Sequence, residues 1–319
     1  MAEIKIIENM SELGAGTRGA SLGIGALQVV ARQRGENFFG QYERFMIEHQ
    51  NDMLDFPTKY TYAKWIDGLA NVYQQTADVV NFVLQNKDFP LVLSGDHSCA
   101  AGTISGIKKA FPNKRLGVIW IDAHADLHTP YTTPSGNVHG MPLAVALGEN
   151  NMESASNTPN PDVVEMWEEL KNIGAPAPKV LPDDLVFISL RDTEKPEDEY
   201  MARNGVKNFS VDEVRQKSKE EVAKEIKEKL SACDIIYVSF DVDSMDSILV
   251  SKGTGTPVEN GLSPEEANYF VNEFASWEKT CCVEMVEINP CLDNKINKMA
   301  ETAYDILRNT AATIEKKIK

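Results

Sequence analysis

Sulfur is scarce in this chain. Of 319 residues only five are cysteine (Cys99, Cys233, Cys281, Cys282 and Cys291), an odd number with no C-x-x-C pair. That pattern argues against a disulfide framework and against a thiolate zinc site, so the thiols are expected as small core hydrophobes. Long apolar runs are also missing: nothing approaches the ~20 residues that cross a bilayer. The opening MAEIKIIENM lacks the basic start and apolar stretch of a secretory signal. A cytoplasmic protein with no membrane partner is expected. Positive charge is in short supply, with 32 Lys and Arg against 48 Asp and Glu and a formal net charge of −16. Clustered cations, which supply affinity for a phosphate backbone, are therefore lacking, and nucleic acid is not an expected partner. A field of this sign favours approach of a cationic small molecule instead.

What is present reads as one α/β domain over residues 1–319. The composition is 42% hydrophobic and 25% charged, enough to bury a sizeable core. Strand-like apolar runs at 89–94, 115–121, 185–190, 234–240 and 281–288 alternate with helical patterns near 99–110, 140–147, 162–172, 212–230 and 263–275, and a last helix from about 293. Segments near 37–55 and 62–86 carry apolar residues at helical spacing. Such alternation predicts a three-layer αβα fold, a mostly parallel sheet with helices on both faces. Ser263-Pro264-Glu265-Glu266 has the residues of a capping box with Pro at the first helical position. The stretches 150–161 and 174–184 are rich in turn formers and are expected as surface loops.

Gly14-Ala15-Gly16-Thr17-Arg18-Gly19 matches the G-x-G-x-x-G dinucleotide fingerprint. Its context does not fit: Glu8 to Leu13 does not read as a buried strand, and Glu36 does not follow a second one. The glycines are expected to let a loop turn tightly into the first helix.

Chemistry gathers at three strand ends: Gly95-Asp96-His97-Ser98 after LVLS, Asp122-Ala123-His124-Ala125-Asp126 after LGVIWI, and Asp241-Val242-Asp243 after DIIYVSF. Residues two apart in an extended chain share a face, which predicts that Asp122, His124 and Asp126 point together, as do Asp241 and Asp243. In a parallel sheet, strand carboxyl ends are where ligands bind. Six oxygen and nitrogen ligands (His97, Asp122, His124, Asp126, Asp241 and Asp243) and no sulfur would repel if buried without a counter-charge, at several kcal/mol per group. Divalent cations resolve this, and so acidic a set suits two ions better than one. Hard donors favour Mn²⁺ ahead of Zn²⁺, Co²⁺, Fe²⁺ or Ni²⁺. The polar loop Thr132 to Gly140 follows closely and reads as a donor-rich collar around a substrate, with His139 as a proton carrier.

GDHS, DAHAD with SGNVHG, SFDVD, GTGTP and VEINP, in this order, resemble the ureohydrolase family and specifically its arginases, over roughly residues 14 to 310. The resemblance implies a binuclear manganese site in which His97, Asp122, Asp126 and Asp241 hold one ion, and His124, Asp122, Asp241 and Asp243 the other. Asp122 and Asp241 then bridge. Two close ions lower the pKa of a shared water enough to supply hydroxide near neutral pH, and that hydroxide attacks a guanidinium carbon. Glu287 matches the guanidinium-binding carboxylate, Asp126 hydrogen-bonds the tetrahedral intermediate, His139 shuttles a proton to the departing amine, and Thr256 lines the pocket.

For substrate choice, the resemblance assigns Thr133, Ser135 and Asn137 to an α-carboxylate, and Asp192 and Glu194 to an α-amino group. The arginase pattern has Asp where Glu194 stands and Asn where His128 stands. Hydrolysis of L-arginine to L-ornithine and urea is the leading expectation. The alternatives are formimidoylglutamase (formamide release), agmatinase or guanidino-acid hydrolase, and a non-catalytic binding protein on the same fold. The family also implies a homo-oligomer, trimer or hexamer.

Overall fold

The computed structural model describes residues 2–319, so the first residue of the expected 1–319 unit lies outside the described residues. Short runs of Val, Ile, Leu and Phe form the strands β1 (Ile4–Asn9), β2 (Glu43–Ile47), β3 (Phe89–Ser94), β4 (Leu116–Ile121), β5 (Leu185–Ile188), β6 (Lys207–Phe209), β7 (Ile235–Asp241) and β8 (Thr280–Val286). They make one sheet in the order β2-β1-β3-β8-β7-β4-β5-β6, every neighbouring pair parallel. The helices are α1 (Gly23–Gln33), α2 (Ile66–Gln85), α3 (Ala100–Ala110), α4 (Pro142–Leu147), α5 (Pro161–Asn172), α6 (Lys195–Asn204), α7 (Val211–Lys217), α8 (Lys219–Lys229), α9 (Pro264–Ala275) and α10 (Lys298–Ile318).

Strand alternation divides the core between the two faces. Ile119, Ile121, Val238 and Phe240 point to the side covered by α1, α8, α9 and α10. Val118, Trp120, Tyr237 and Cys282 point to the side covered by α2, α3 and α4, and α5 packs outside these through Trp167 and Leu170. Each such side chain, fully buried, contributes ~1.5–3 kcal/mol before conformational entropy is subtracted. The expected three-layer arrangement is thus present. Its chain order carries a consequence for function. Strands β3, β8, β7 and β4 lie side by side at the centre although they are far apart in sequence, so the loops leaving their carboxyl ends meet over one spot.

Three local readings need correction. The helical expectation for 37–55 fails because Glu43–Ile47 is an edge strand, mostly exposed, followed by a short 3-10 turn at Asn51–Asp55. The pattern over 212–230 is two helices, broken at Ser218, whose φ of +97° ends α7 while its hydroxyl caps α8. The last helix begins at Lys298, because Asp293 ties the preceding loop by accepting from the backbone of Lys295 and Met299. Helix α6 and strand β6 were not legible as periodic segments.

A buried strand, Ile4–Asn9, does precede the glycine loop, but it takes in only Glu8 and Asn9 of the segment read as non-strand, and residues 10–13 lie outside it. The nucleotide reading still fails on contacts. Gly14 donates to Asp96 and packs on Ser98, Gly19 packs on Asn289, and Glu36 is bonded to Tyr304 and Arg308. This loop is wedged against the strand-end motifs and presents no phosphate cradle.

Candidate metal centre and the cleft above it

The residues predicted from the three motifs converge, though not by strand alternation. β4 ends at Ile121, and residues 122–126 run through bends, with Asp126 at φ +50°. The turn, not a pleat, brings Asp122, His124 and Asp126 together. His97 Nδ1 lies 3.0 Å from Asp122 Oδ2, 3.1 Å from Asp126 Oδ2 and 3.1 Å from Asp241 Oδ2. Beside it, His124 Nδ1 lies 3.0 Å from Asp243 Oδ2 and 3.5 Å from Asp122 Oδ1. Two groups with the spacing of a metal site result, His97/Asp122/Asp241 and Asp122/His124/Asp243, sharing Asp122.

Several of these carboxylates are anchored by one oxygen. Asp122 Oδ1 accepts from the His124 amide at 2.7 Å, and Asp241 Oδ1 from the Asp243 amide at 2.8 Å. Asp243 accepts from the Ala123 amide at 3.2 Å and from the Thr256 hydroxyl at 2.9 Å. The second oxygens of Asp122 and Asp241 are thereby aimed at the His97 ring. Its far side is fixed too, Nε2 standing 2.8 Å from Ser239 Oγ. Among the described residues, His97 Nδ1 and Asp122 Oδ2 are buried with no aligned hydrogen-bond partner. Orphaned lone pairs on hard donors, facing one another at about 3 Å, are what a divalent cation would satisfy, so the residues fit the metal that the composition of the motifs implies.

The electrostatics agree. Burial, with the neighbouring Asp122 charge, pushes Asp126 up to about 7, and burial with Asp243 and Asp122 drives Asp241 well above the carboxylate range. Burial opposes ionisation of Asp122 as well, but hydrogen bonds from His124 and His97 hold it below the ordinary range. Like charges this close share protons unless a cation is supplied.

Above the cluster lies a cleft lined by His97, His124, Asp126, Asp241 and Asp243 at its floor and by His139 and Glu287 at one wall. Glu287, at φ +68° just past β8, accepts from the His97 amide through Oε1 at 2.9 Å, and that oxygen is 3.3 Å from His139 Nδ1. Its other oxygen, Oε2, is buried and unpartnered among the described residues. Burial disfavours a charged His139, but the hydrogen bond and charge of Glu287, with the charges of Asp126 and Asp96, together outweigh it and raise the imidazole to about 9.

The remaining predicted residues all border the cleft. Thr133, Ser135 and Asn137 form one side of its outer end. Thr133 Oγ1 accepts from the Gly136 amide at 2.9 Å and Ser135 Oγ from the Asn137 amide at 3.1 Å, which shapes the loop. His128, Asp192, Glu194 and Thr256 border it elsewhere. Asp192 Oδ2 lies 3.5 Å from His124 Nε2. His128 Nε2 is 3.7 Å from carboxylate oxygens of both Glu194 and Glu197.

Sequence reasoning missed Glu197. It is buried, lines the cleft, and accepts from the amides of Leu127 and Glu194, each at 3.0 Å; burial raises it to about 7. The signal was there as an acid three residues beyond Glu194 with Pro between, a helix-start pattern. Arg191 carried no such signal. Its guanidinium donates to carbonyls of Ser189, Asp243, Met245, Val258 and Glu259, clamping the loops that carry Asp243 and Thr256.

Such a fold carries a thiol-free His/Asp cluster under an acidic cleft at its strand carboxyl ends, and comparison with known proteins gives the family. The profile of the Arginase family matches residues 5–312. The arginase of Bacillus subtilis (strain 168) is 34% identical over 312 residues, covering 96% of each chain. That of Brevibacillus brevis is 36% identical over 304 residues, covering 93% of each. The crystal structure of the arginase from Bacillus subtilis subsp. subtilis str. 168 superposes with a TM-score of 0.81 at 33% identity, covering 97% of this chain and 98% of that one. This chain belongs to the arginase family and is a ureohydrolase.

Proposed function

We propose that this protein hydrolyses L-arginine to L-ornithine and urea with two Mn²⁺ ions per chain. The observation that carries the reading is the pair of His/Asp groups joined at Asp122, at the floor of a cleft that Glu287, with an unpartnered carboxylate oxygen, also lines. His97, Asp122, Asp126 and Asp241 would hold one ion, and His124, Asp122, Asp241 and Asp243 the other. When bound, the ions supply a water of lowered pKa as nucleophile.

The rest is done by side chains. A guanidinium is resonance-stabilised and a poor electrophile, so it must be held in place while its charge is compensated; Glu287 Oε2 does both, and this is catalysis by positioning. Asp126, hydrogen-bonding the tetrahedral intermediate, steadies the sp³ centre. Departure of the amine requires a proton, which His139 holds on an imidazole kept charged by Glu287. At the outer end Thr133, Ser135 and Asn137 take the α-carboxylate, while Asp192 and Glu194 take the α-ammonium. His128 stands 3.7 Å from Glu194 at the same rim, its ring kept toward the neutral form by burial. Thr256 keeps Asp243 in place through its hydroxyl.

Purified protein loaded with Mn²⁺ and offered L-arginine, agmatine, 4-guanidinobutyrate and N-formimidoyl-L-glutamate tests the substrate. Urea from arginine with the highest kcat/KM supports the reading; formamide from formimidoylglutamate with arginine inert overturns it. Metal analysis should return two Mn²⁺ per chain. The family resemblance implies a trimer or hexamer, which sedimentation of the metal-loaded protein checks. No described helix is long and apolar enough to cross a membrane.

A further inference from the structure

The cleft poses an electrostatic problem for a substrate that carries a carboxylate. Apart from the carboxylates assigned to the ions and Glu287, which faces the charged His139, its outer walls carry Asp192 and Glu194, and among the described lining residues there is no lysine or arginine. The neutral donors Thr133, Ser135 and Asn137 face the outer end alone, in a negative field that repels an anion. One cation stands immediately behind them. Lys64, in the segment before α2, donates from Nζ to Asn137 Oδ1 at 3.1 Å and from its backbone N to the Gly136 carbonyl at 2.8 Å.

We propose that Lys64 is a specificity-determining residue, which orients the Asn137 amide as a donor and supplies the positive charge that selects substrates bearing a carboxylate at their outer end. The proposal rests on the reading of Thr133, Ser135 and Asn137 as a carboxylate site. An asparagine amide can present either its oxygen or its NH₂ to a ligand, and neighbours decide which. With Oδ1 taken by an ammonium, Nδ2 is left for the cleft. The flipped amide would set two N–H donors against the Lys64 charge. Among the described residues Asn137 is the only side-chain hydrogen-bond partner of that ammonium, so its charge is not cancelled by a local carboxylate and acts through the amide on whatever Asn137 binds.

The backbone is built for this grip. Gly136 has φ +78°, and a Cβ there would lie 2.0 Å from the Thr61 carbonyl oxygen; only glycine lets the 133–137 loop lie on residues 61–64. Gly16, at φ +68°, closes on the amide from another side, where a Cβ would sit 2.8 Å from Asn137 Oδ1. The glycine-rich segment therefore has a use, which is to confine the Asn137 side chain against Lys64. The outer end is consequently polarised, positive behind Asn137 and negative at Asp192 and Glu194, matching an α-amino acid zwitterion. A decarboxylated analogue gains nothing from the positive side.

The test compares wild type with Lys64→Met and Lys64→Arg, all Mn²⁺-loaded, using steady-state kinetics on L-arginine and calorimetric binding of L-ornithine and putrescine. Lys64→Met is expected to raise KM for arginine and Kd for ornithine about tenfold, the order for one partly screened charge. kcat should stay within about twofold and putrescine binding should hold, while Lys64→Arg recovers most of the ornithine affinity. Equal losses for ornithine and putrescine would mean a purely structural role and overturn the proposal, as would unchanged ornithine binding in Lys64→Met. Should wild type prefer another guanidino compound to arginine, the arginine reading fails separately. Lys64 is then judged on 4-guanidinobutyrate against agmatine, where loss of carboxylate preference in Lys64→Met supports it and retention overturns it.

Discussion

The imidazole of His97 lies flat on the indole of Trp120, ring centroids 4.0 Å apart and planes within 4° of parallel. With Ser239 on its Nε2, the ring has no freedom to turn, and Nδ1 is held toward Asp122, Asp126 and Asp241. Supports of this kind typically change metal affinity 10- to 100-fold when removed. Trp120→Leu should lose Mn²⁺ to a chelator about tenfold more readily than wild type and lower stability by ~2–4 kcal/mol through the cavity it leaves. Trp120→Phe, which keeps a flat face for the imidazole, should retain most of the metal affinity. Chelator titration and urea unfolding give both quantities; wild-type metal retention in the Leu variant would refute the role of the stack.

Asp126→Asn and Asp241→Asn each remove a carboxylate whose oxygen lies 3.1 Å from His97 Nδ1. Urea release is expected to fall by a factor on the order of a hundred or more in both. Because a ligand that binds only the folded state raises its stability, Mn²⁺ should raise the Tm of wild type by several degrees and that of Asp241→Asn far less. Near-normal turnover in either variant would contradict the assigned ligand set.

Glu287 does not belong to the metal set, so Glu287→Gln should keep its Mn²⁺ while losing about 3 kcal/mol, roughly a hundredfold, in kcat/KM for arginine. It should also move a pH limb. Burial acts against charge on His139, and Glu287, Asp126 and Asp96 act for it, with Glu287 the strongest. In wild type the proton is held until about pH 9, so activity that needs it falls off above that. Without the Glu287 charge the alkaline limb should shift to lower pH. A limb that stays in place would separate His139 from the proton transfer.

Lys179 is buried with its ammonium donating to the Lys171 carbonyl at 2.6 Å, and burial lowers its pKa to about 7. The sign follows from linkage. Below pH 7 folded and unfolded chains both hold the proton, and the full cost of burying the charge is present. Between about pH 7 and the ordinary lysine range the unfolded chain holds more protons, so stability climbs with pH. Lys179→Met should therefore raise Tm at pH 6 and show a shrinking advantage toward pH 10. An advantage independent of pH would point to packing instead of charge.

Glu194→Asp shortens a half-exposed acid at the outer rim, 3.7 Å from His128. If Glu194 only grips the substrate's amino group, KM should change by a few-fold while kcat holds. Equal falls in kcat and kcat/KM in steady-state assays would assign it to the chemical step.

Much of the site was legible because its signals are local in the chain. The runs before His97, Asp122 and Asp241 are apolar over a strand's length and end in acids and imidazoles, so both the strands and the donor set followed from residue chemistry. Five strands fell where periodicity put them. Failures occurred where local pattern is weak: β2 is an exposed edge strand, β6 has three residues, and the bends at 122–126 only mimic alternation.

The amino-acid sequence by itself determined the hard donors and the parallel α/β architecture, since hydrophobic period, turn chemistry and ligand type are properties of neighbouring residues. Tertiary structure alone decided that β3, β8, β7 and β4 stand together, that Trp120 underlies His97, that Glu197 enters the cleft, and that Lys64 reaches Asn137 across 73 residues. Periodicity tells which face of an element is apolar. Which element packs beside it is settled by the packing of the whole chain, and these four contacts are of that long-range kind.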